Sequence, residues 1–260
     1  MTKITLKSPQ EIDLMRQGGQ KLARIRQQLL TAAKPGTTGL VIEALAQKLI
    51  KQAGGQASFA TVDKYQWATC ININAGVVHG VPNNYQFKTG DLVSIDVGIY
   101  YQGFHTDCST TIMVGAVPSG EKAKFLQTGR QVLKKAIAQA RPGKRVGHIS
   151  RTIESNLHAA GYQPLPNLTG HGIGRQLHEP PHIPGVVRQP IKETPQLQSG
   201  MTVAIEVIYA LGNSDTRVSP EDHWTVISKD GKITAIFEET IAIKNDGPLI
   251  LTTMSGKIKQ

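Results

Sequence analysis

The chain has 260 residues, a hydrophobic fraction of 39%, a formal charge of +10 at neutral pH and two cysteines, Cys70 and Cys108. No run of about 20 apolar residues is present, the start Met1-Thr-Lys-Ile-Thr-Leu-Lys7 lacks the apolar core of a secretion signal, and two cysteines exclude a disulfide framework, so a cytoplasmic protein with no membrane partner is expected. The positive balance fits an acidic partner such as a ribosome surface, but there is no long basic cluster or aromatic-basic interleaving, and Lys257 with Lys259 is too short a tail to count, so no specific nucleic-acid binding is expected.

The first predicted element is a helix opened by Ser8, Pro9 and Glu11, which supply an N-cap, a first-turn proline and a capping-box acceptor. Ile12, Met15, Leu22, Ile25 and Leu29 give its apolar stripe, and Pro35 lies beyond its end. Thr38 starts a second helix that runs to Gly54. After a segment from Phe59 to Val81 comes a hairpin, in which Val93, Ile95, Val97 and Ile99 alternate with Ser94, Asp96 and Gly98, the turn falls near Gln102-Gly103, and the β-prone run Cys108 to Val114 follows. Ser119 begins a third helix stopped by Pro142-Gly143, and a fourth runs from about Gly147 to Gly161. Pro164, Pro166 and the glycines around His171 indicate loop or irregular strand, and strands return at Met201 to Tyr209, Trp224 to Ser228 and Ile233 to Ile243. Two helices then strands, followed by the same order again, make a weak internal two-fold symmetry in an α/β (α+β) chain. No composition break divides the halves, so residues 1–260 are read as one domain.

Asp96 and Asp107 flank the hairpin turn at nearly equal distances and are expected to face each other. Bare carboxylates about 5 Å apart repel by about 3 kcal/mol at an effective dielectric of about 20. No Arg or Lys occurs from Asp91 to Val114, so a metal ion is the natural counter-charge. Downstream lie His171 in Gly170-His-Gly-Ile-Gly174, His178, Glu206 amid Val203, Ile205, Val207 and Ile208, and Glu238 in Ile236-Phe-Glu-Glu-Thr240. A glutamate in an apolar strand is costly unless paired or metal-bound. Four carboxylates match the charge of two divalent cations, and oxygen-rich ligation with one imidazole suits manganese, iron, cobalt or zinc. Paired metals in such a site make water a nucleophile near neutral pH. His178-Glu-Pro-Pro-His182 matches HExxH in letters, but that motif needs a helix and the two prolines oppose one. His105, His148, His158, His182 and His223 are expected at the surface or behind the site.

Together these residues resemble the methionine aminopeptidases, which remove initiator methionine from new chains, and in particular the short bacterial type. The likeness spans nearly the whole chain and rests on Cys70-Ile-Asn-Ile-Asn, Val78-His79-Gly80-Val-Pro82, Ser94-Ile-Asp96, Gly103-Phe-His-Thr-Asp107, Gly170-His171-Gly-Ile-Gly-Arg175, His178-Glu-Pro, Gly200-Met-Thr, Ile205-Glu206 and Phe237-Glu238. It implies a pita-bread fold, a curved antiparallel sheet backed by helices. It implies metal ligation by Asp96, Asp107, His171, Glu206 and Glu238. His79 would contact the scissile amide, His178 would hydrogen-bond the scissile carbonyl, and Glu206 would also carry the proton from the attacking water to the leaving amine. Tyr65, Cys70, Leu177 and Trp224, with Phe59, would line the methionine pocket. The partners implied are nascent N-termini carrying a small second residue, processed by a monomer.

The chain departs from the family pattern at Glu239, where histidine is usual, at Val207, where proline is usual, and around Phe59 to Trp67. Strand alternation points Glu239 away from Glu238. The related proline-specific peptidases tend to be acidic at that position, which makes them the rival enzyme reading. A metal-free, ribosome-associated adaptor on the same fold is the rival from another class, and it would lose ligands that this chain keeps.

Overall fold

The structure, a computed structural model, describes residues 4–254. The pair Lys257 and Lys259, and residues 1–3, lie outside the described residues.

Helix α1 (Pro9–Ala32) begins with the capping box written in its sequence: the Ser8 hydroxyl accepts from the Glu11 N–H, and the Glu11 carboxylate accepts from the Ser8 N–H at 2.7 Å. Helix α2 (Gly39–Gln52) is capped by Thr38. Strands β1 (Gln56–Ala57), β2 (Thr69–Ile73) and β3 (Gly76–Val78) precede the hairpin of β4 (Leu92–Tyr101) and β5 (Phe104–Met113). Helices α3 (Gly120–Ala138) and α4 (Val146–Ala160) follow, the second closed by Gly161 in the left-handed conformation, φ 88°. Then come β6 (Gln163–Pro164), β7 (Thr169–Gly172), β8 (Glu179–Pro184), β9 (Thr202–Ala210), β10 (Thr216–Val218), β11 (Val226–Ser228), β12 (Thr234–Lys244) and β13 (Gly247–Ile250).

The main sheet is antiparallel in the order β1-β4-β5-β12-β9-β7-β8, with β2 also on β4, β6 on β9 and β13 on β12. Its centre is the β5–β12 pair, and each side repeats one plan of a helix pair and two long strands. Alternation assigns the faces. Val93, Ile95, Val97 and Ile99 pack with Leu22, Ile25, Leu29 and Ile42 of the first helix pair. Val203, Ile205, Val207, Tyr209 and Phe237 pack with Phe125, Val132, Ile149 and Ile153 of the second. The intervening positions Asp96, Asp107, Glu206 and Glu238 therefore project from the opposite face. A small sheet, β10-β11-β3, packs on that face through Val77, Val78, Ile208 and Ile236.

The hairpin turn is where the sequence places it. Gln102 and Gly103 have φ of 48° and 89°, the two positive values that a two-residue type I′ turn requires. The expectation that Asp96 and Asp107 face each other is corrected. Asp96 stands six residues before Gln102, but Asp107 only four after Gly103, so Asp96 pairs with Ser109 and Asp107 with Gly98. The two carboxylates are diagonal neighbours on one face, a spacing suited to an ion between them. Gly98 has a second use. A Cβ there would lie 2.7 Å from the Ser58 Cβ, so its absence lets the Ser58–Phe59 segment lie directly on the carboxylate face.

Candidate metal centre and substrate cavity

The five residues expected to hold metal come from five strands, β4, β5, β7, β9 and β12, and converge. Glu206 on β9 stands directly across from Glu238 on β12. His171 on β7 pairs with Ala204, two residues from Glu206 along the same face. Ligand atoms of Asp107, His171 and Glu238 all lie within 4.8 Å of one another. The His171 Nε2 sits 3.6 Å from Asp107 Oδ2 and 3.6 Å from Glu206 Oε1, too long for hydrogen bonds. Its Nδ1 faces the Gly172 carbonyl at 2.9 Å, which assigns the proton to Nδ1 and leaves the Nε2 lone pair turned toward the carboxylates.

The electrostatics show a site built around positive charge supplied from elsewhere. Burial, reinforced by the neighbouring carboxylates, holds Asp96, Glu206 and Glu238 well above the usual carboxylate range, and burial raises Asp107 to about 6. Burial lowers His171 to about 4, so its ring is neutral at physiological pH. Among the described residues no Lys or Arg forms an ion pair with any of the four carboxylates. Asp96 Oδ1 is buried with no hydrogen-bond partner. An orphaned carboxylate oxygen, three further oxygen donors and one aligned imidazole fit divalent metal.

A cavity of about 180 Å³ opens onto this cluster. Its walls include Phe59, Tyr65, Cys70, Leu177 and Trp224, together with both His79 and His178. The segment Phe59 to Trp67, where the family pattern is weakest, thus forms one wall. Tyr65 is fixed by donating to the Thr69 carbonyl at 2.8 Å and meets Trp224 edge-on at 5.2 Å between centroids. Cys70 on β2 stands opposite Asp96, which ties the apolar end of the cavity to the carboxylate cluster. His79 holds φ at 59°, a strained conformation that brings it to the cavity wall at the end of β3. Val62, Val78 and Ile236 complete the lining and were not expected from sequence. Ile236 was within reach of that reading, since it lies two residues before Glu238 on the same face; Val62 and Val78 resemble ordinary core. His182 lies exposed on strand β8, so the HExxH letters are not on a helix.

Residues 13–245 match the model of metallopeptidase family M24. The chain belongs to this family. It is 36% identical to methionine aminopeptidase of Aquifex aeolicus over 96% of this chain and 99% of that protein. The crystal structure of methionine aminopeptidase from Thermotoga maritima superposes with a TM-score of 0.92 at 36% identity, covering 96% of this chain and all of that one. A prolidase from Pyrococcus horikoshii shares the fold with a TM-score of 0.76 at 22% identity, but this chain covers only 64% of it. The M24 peptidase thus has the pita-bread fold and is a metal-dependent hydrolase of the methionine aminopeptidase type.

Glu239 does not join the site of this M24 peptidase. Its carboxylate accepts from Arg26 of α1 at 2.9 Å and from the Thr252 hydroxyl at 2.5 Å, on the helix side of the sheet. Removing it leaves the partly buried Arg26 guanidinium without its counter-charge. Glu239→Ala is expected to lower unfolding free energy by about 3 kcal/mol while leaving bound metal unchanged; denaturant titration and metal analysis read both, and loss of metal would contradict the assignment.

Metal binding by this M24 peptidase is expected to depend on pH. Carboxyls raised in the folded state stabilise the metal-free protein below the ordinary carboxyl range and lose that contribution as pH rises through their folded values, about 6 for Asp107. Metal binding requires the ionised forms, so it reverses the loss. The rise in Tm on adding a divalent ion should therefore be larger at pH 7.5 than at pH 5.5. Equal rises at both pH values would count against the cluster as ligands.

Proposed function

We propose that this M24 peptidase, as a single catalytic domain, removes N-terminal methionine from nascent chains whose second residue is small. Two divalent ions, manganese, iron, cobalt or zinc, would be held by Asp96, Asp107, His171, Glu206 and Glu238. The observation that carries the reading is the apolar cavity ending on the carboxylate cluster: a side chain seated among Tyr65, Cys70, Leu177 and Trp224 delivers its own backbone to the metal ligands.

The residues divide the work. The apolar walls accept an unbranched thioether and offer no fixed charge. His178, whose pKa is lowered by burial and then by His171, is a neutral imidazole that can donate one hydrogen bond to the scissile carbonyl oxygen. His79, lowered by burial and then by His178, is the second neutral donor or acceptor, placed toward the scissile amide. Glu206 carries a proton to the leaving amine. When bound, the metal ions polarise the carbonyl and make water nucleophilic near neutral pH.

The reading extends to a monomeric cytoplasmic enzyme that meets its substrates near the ribosome, where a charge of +10 favours an acidic surface. Among the described residues no helix is long and apolar enough to cross a membrane. The test is release of free methionine from Met-Ala-Ser and Met-Leu-Ser with each of the four metals. Cleavage of Met-Ala-Ser at least about tenfold better is expected; no preference between them would remove the small-residue requirement.

A further inference from the structure

The loop that carries His178 is tied to the sheet ahead of it, where the Ile173 N–H donates to the Thr202 carbonyl at 3.1 Å and the Gly174 carbonyl accepts from the His105 N–H at 2.7 Å. It leaves β7 at Gly172 and reaches β8 at Glu179. The His178 ring packs edge-on against His171 at 4.5 Å between centroids, and among the described residues no hydrogen bond holds it. The next residue, Glu179, is by contrast tightly held. Its Oε2 accepts from Lys7 Nζ at 2.5 Å and from the Thr5 hydroxyl at 2.6 Å, and its Oε1 accepts from the Gln176 N–H at 3.1 Å. The Lys7 and Glu179 side chains are 4% and 8% exposed.

The N-terminal arm is built into this loop. Lys7 N–H donates to the Gly200 carbonyl at 2.7 Å. A Cβ on Gly174 would lie 2.3 Å from Lys7 Cε and 2.9 Å from Glu179 Oε1, so glycine there makes room for the lysine stem. A second ion pair joins the same two segments, Arg175 to Glu11 at the start of α1. That pair is largely exposed on the arginine side and contributes little, as surface pairs do. The buried pair is different. Burying two charges seldom adds net stability over an apolar pair, but it enforces one geometry, because either charge left alone is costly.

We propose that Lys7 and Thr5, acting through Glu179, are positioning residues that set His178 against the scissile carbonyl. The N-terminal arm, far from the metal ligands in sequence, is then part of the catalytic apparatus. This rests on the reading of His178 as the carbonyl hydrogen-bond donor. Donor placement matters at the 1 Å scale, where errors cost up to about a hundredfold in rate.

The test uses the metal-loaded full chain and Met-Ala-Ser, with metal content and Tm measured on every variant. Lys7→Met should lower kcat by about tenfold or more with KM changed less than about twofold and metal content intact. Lys7→Arg should restore part of the loss. In a His178→Ala background, Lys7→Met should have almost no further effect on kcat, since the group it positions is gone. If Lys7→Met does not fold, Thr5→Val removes one hydrogen bond and no charge, and should give a smaller loss of the same kind. The proposal is overturned if His178→Ala slows the enzyme but Lys7→Met, or Thr5→Val in its place, leaves kcat unchanged or lowers it equally in both backgrounds. If His178→Ala is itself silent, the role of His178 fails, and the proposal falls with it.

Discussion

Exhaustive chelation is expected to abolish peptide hydrolysis and to lower Tm, and added manganese, iron, cobalt or zinc to restore both. Four carboxyls converge on one face, three held well above their usual range and Asp107 raised to about 6. Without metal they must keep protons or repel. A metal ion present at a thousand times its Kd adds about 4 kcal/mol to folding. For a chain of this size that corresponds to a Tm change on the order of 10 °C. Full hydrolysis by protein shown to contain no metal would contradict the site.

Glu206→Gln should reduce kcat by roughly a hundredfold to ten-thousandfold, the range for a positioned proton carrier. The amide keeps the shape of Glu206 and its place opposite Glu238, but it cannot accept the proton and is a poorer metal ligand. Metal analysis separates the two causes. If the variant retains the wild-type metal content and KM but not its rate, proton transfer is what was lost. A wild-type kcat in metal-loaded Glu206→Gln would remove Glu206 from the mechanism.

The helices were legible because their ends carry explicit chemistry: Ser8 with Glu11, Thr38, and Gly161 in the left-handed region. The hairpin was legible from alternation and from Gln102-Gly103, yet its register was misjudged by two residues, because side-chain alternation fixes the face and not the partner. Strand β7 was legible only as loop or irregular strand, and β8 was not legible. Glycines and prolines hide them, and prolines are tolerated in β8 because it is the edge strand of the sheet. In the site, Glu206 and Glu238 stood out because carboxylates in apolar strands need a reason, and the resemblance gathered them with Asp96, Asp107 and His171. The wall residues Val62 and Val78 gave no signal, since an apolar residue lining a cavity has the same sequence pattern as one in a core. The Lys7–Glu179 pair was beyond sequence reach: its members are 172 residues apart, and nothing local in either segment marks a buried ion pair. Glu239 was correctly turned away from the metals by alternation, but its partner Arg26 lies on a helix whose facing strand could not be named from sequence.

The most direct test of the central claim, that this site removes N-terminal methionine, is kcat/KM for Met-Ala-Ser, Leu-Ala-Ser, Lys-Ala-Ser and Ala-Pro on one metal-loaded preparation. The cavity of Tyr65, Cys70, Leu177 and Trp224 is apolar, so burying an unpaired lysine charge there is costly, while a misplaced methylene costs about 1–3 kcal/mol. Met-Ala-Ser should rank first, Leu-Ala-Ser about tenfold or more below it, and Lys-Ala-Ser and Ala-Pro near background. Ala-Pro ranking first would contradict the account and place the chain with the proline-specific peptidases.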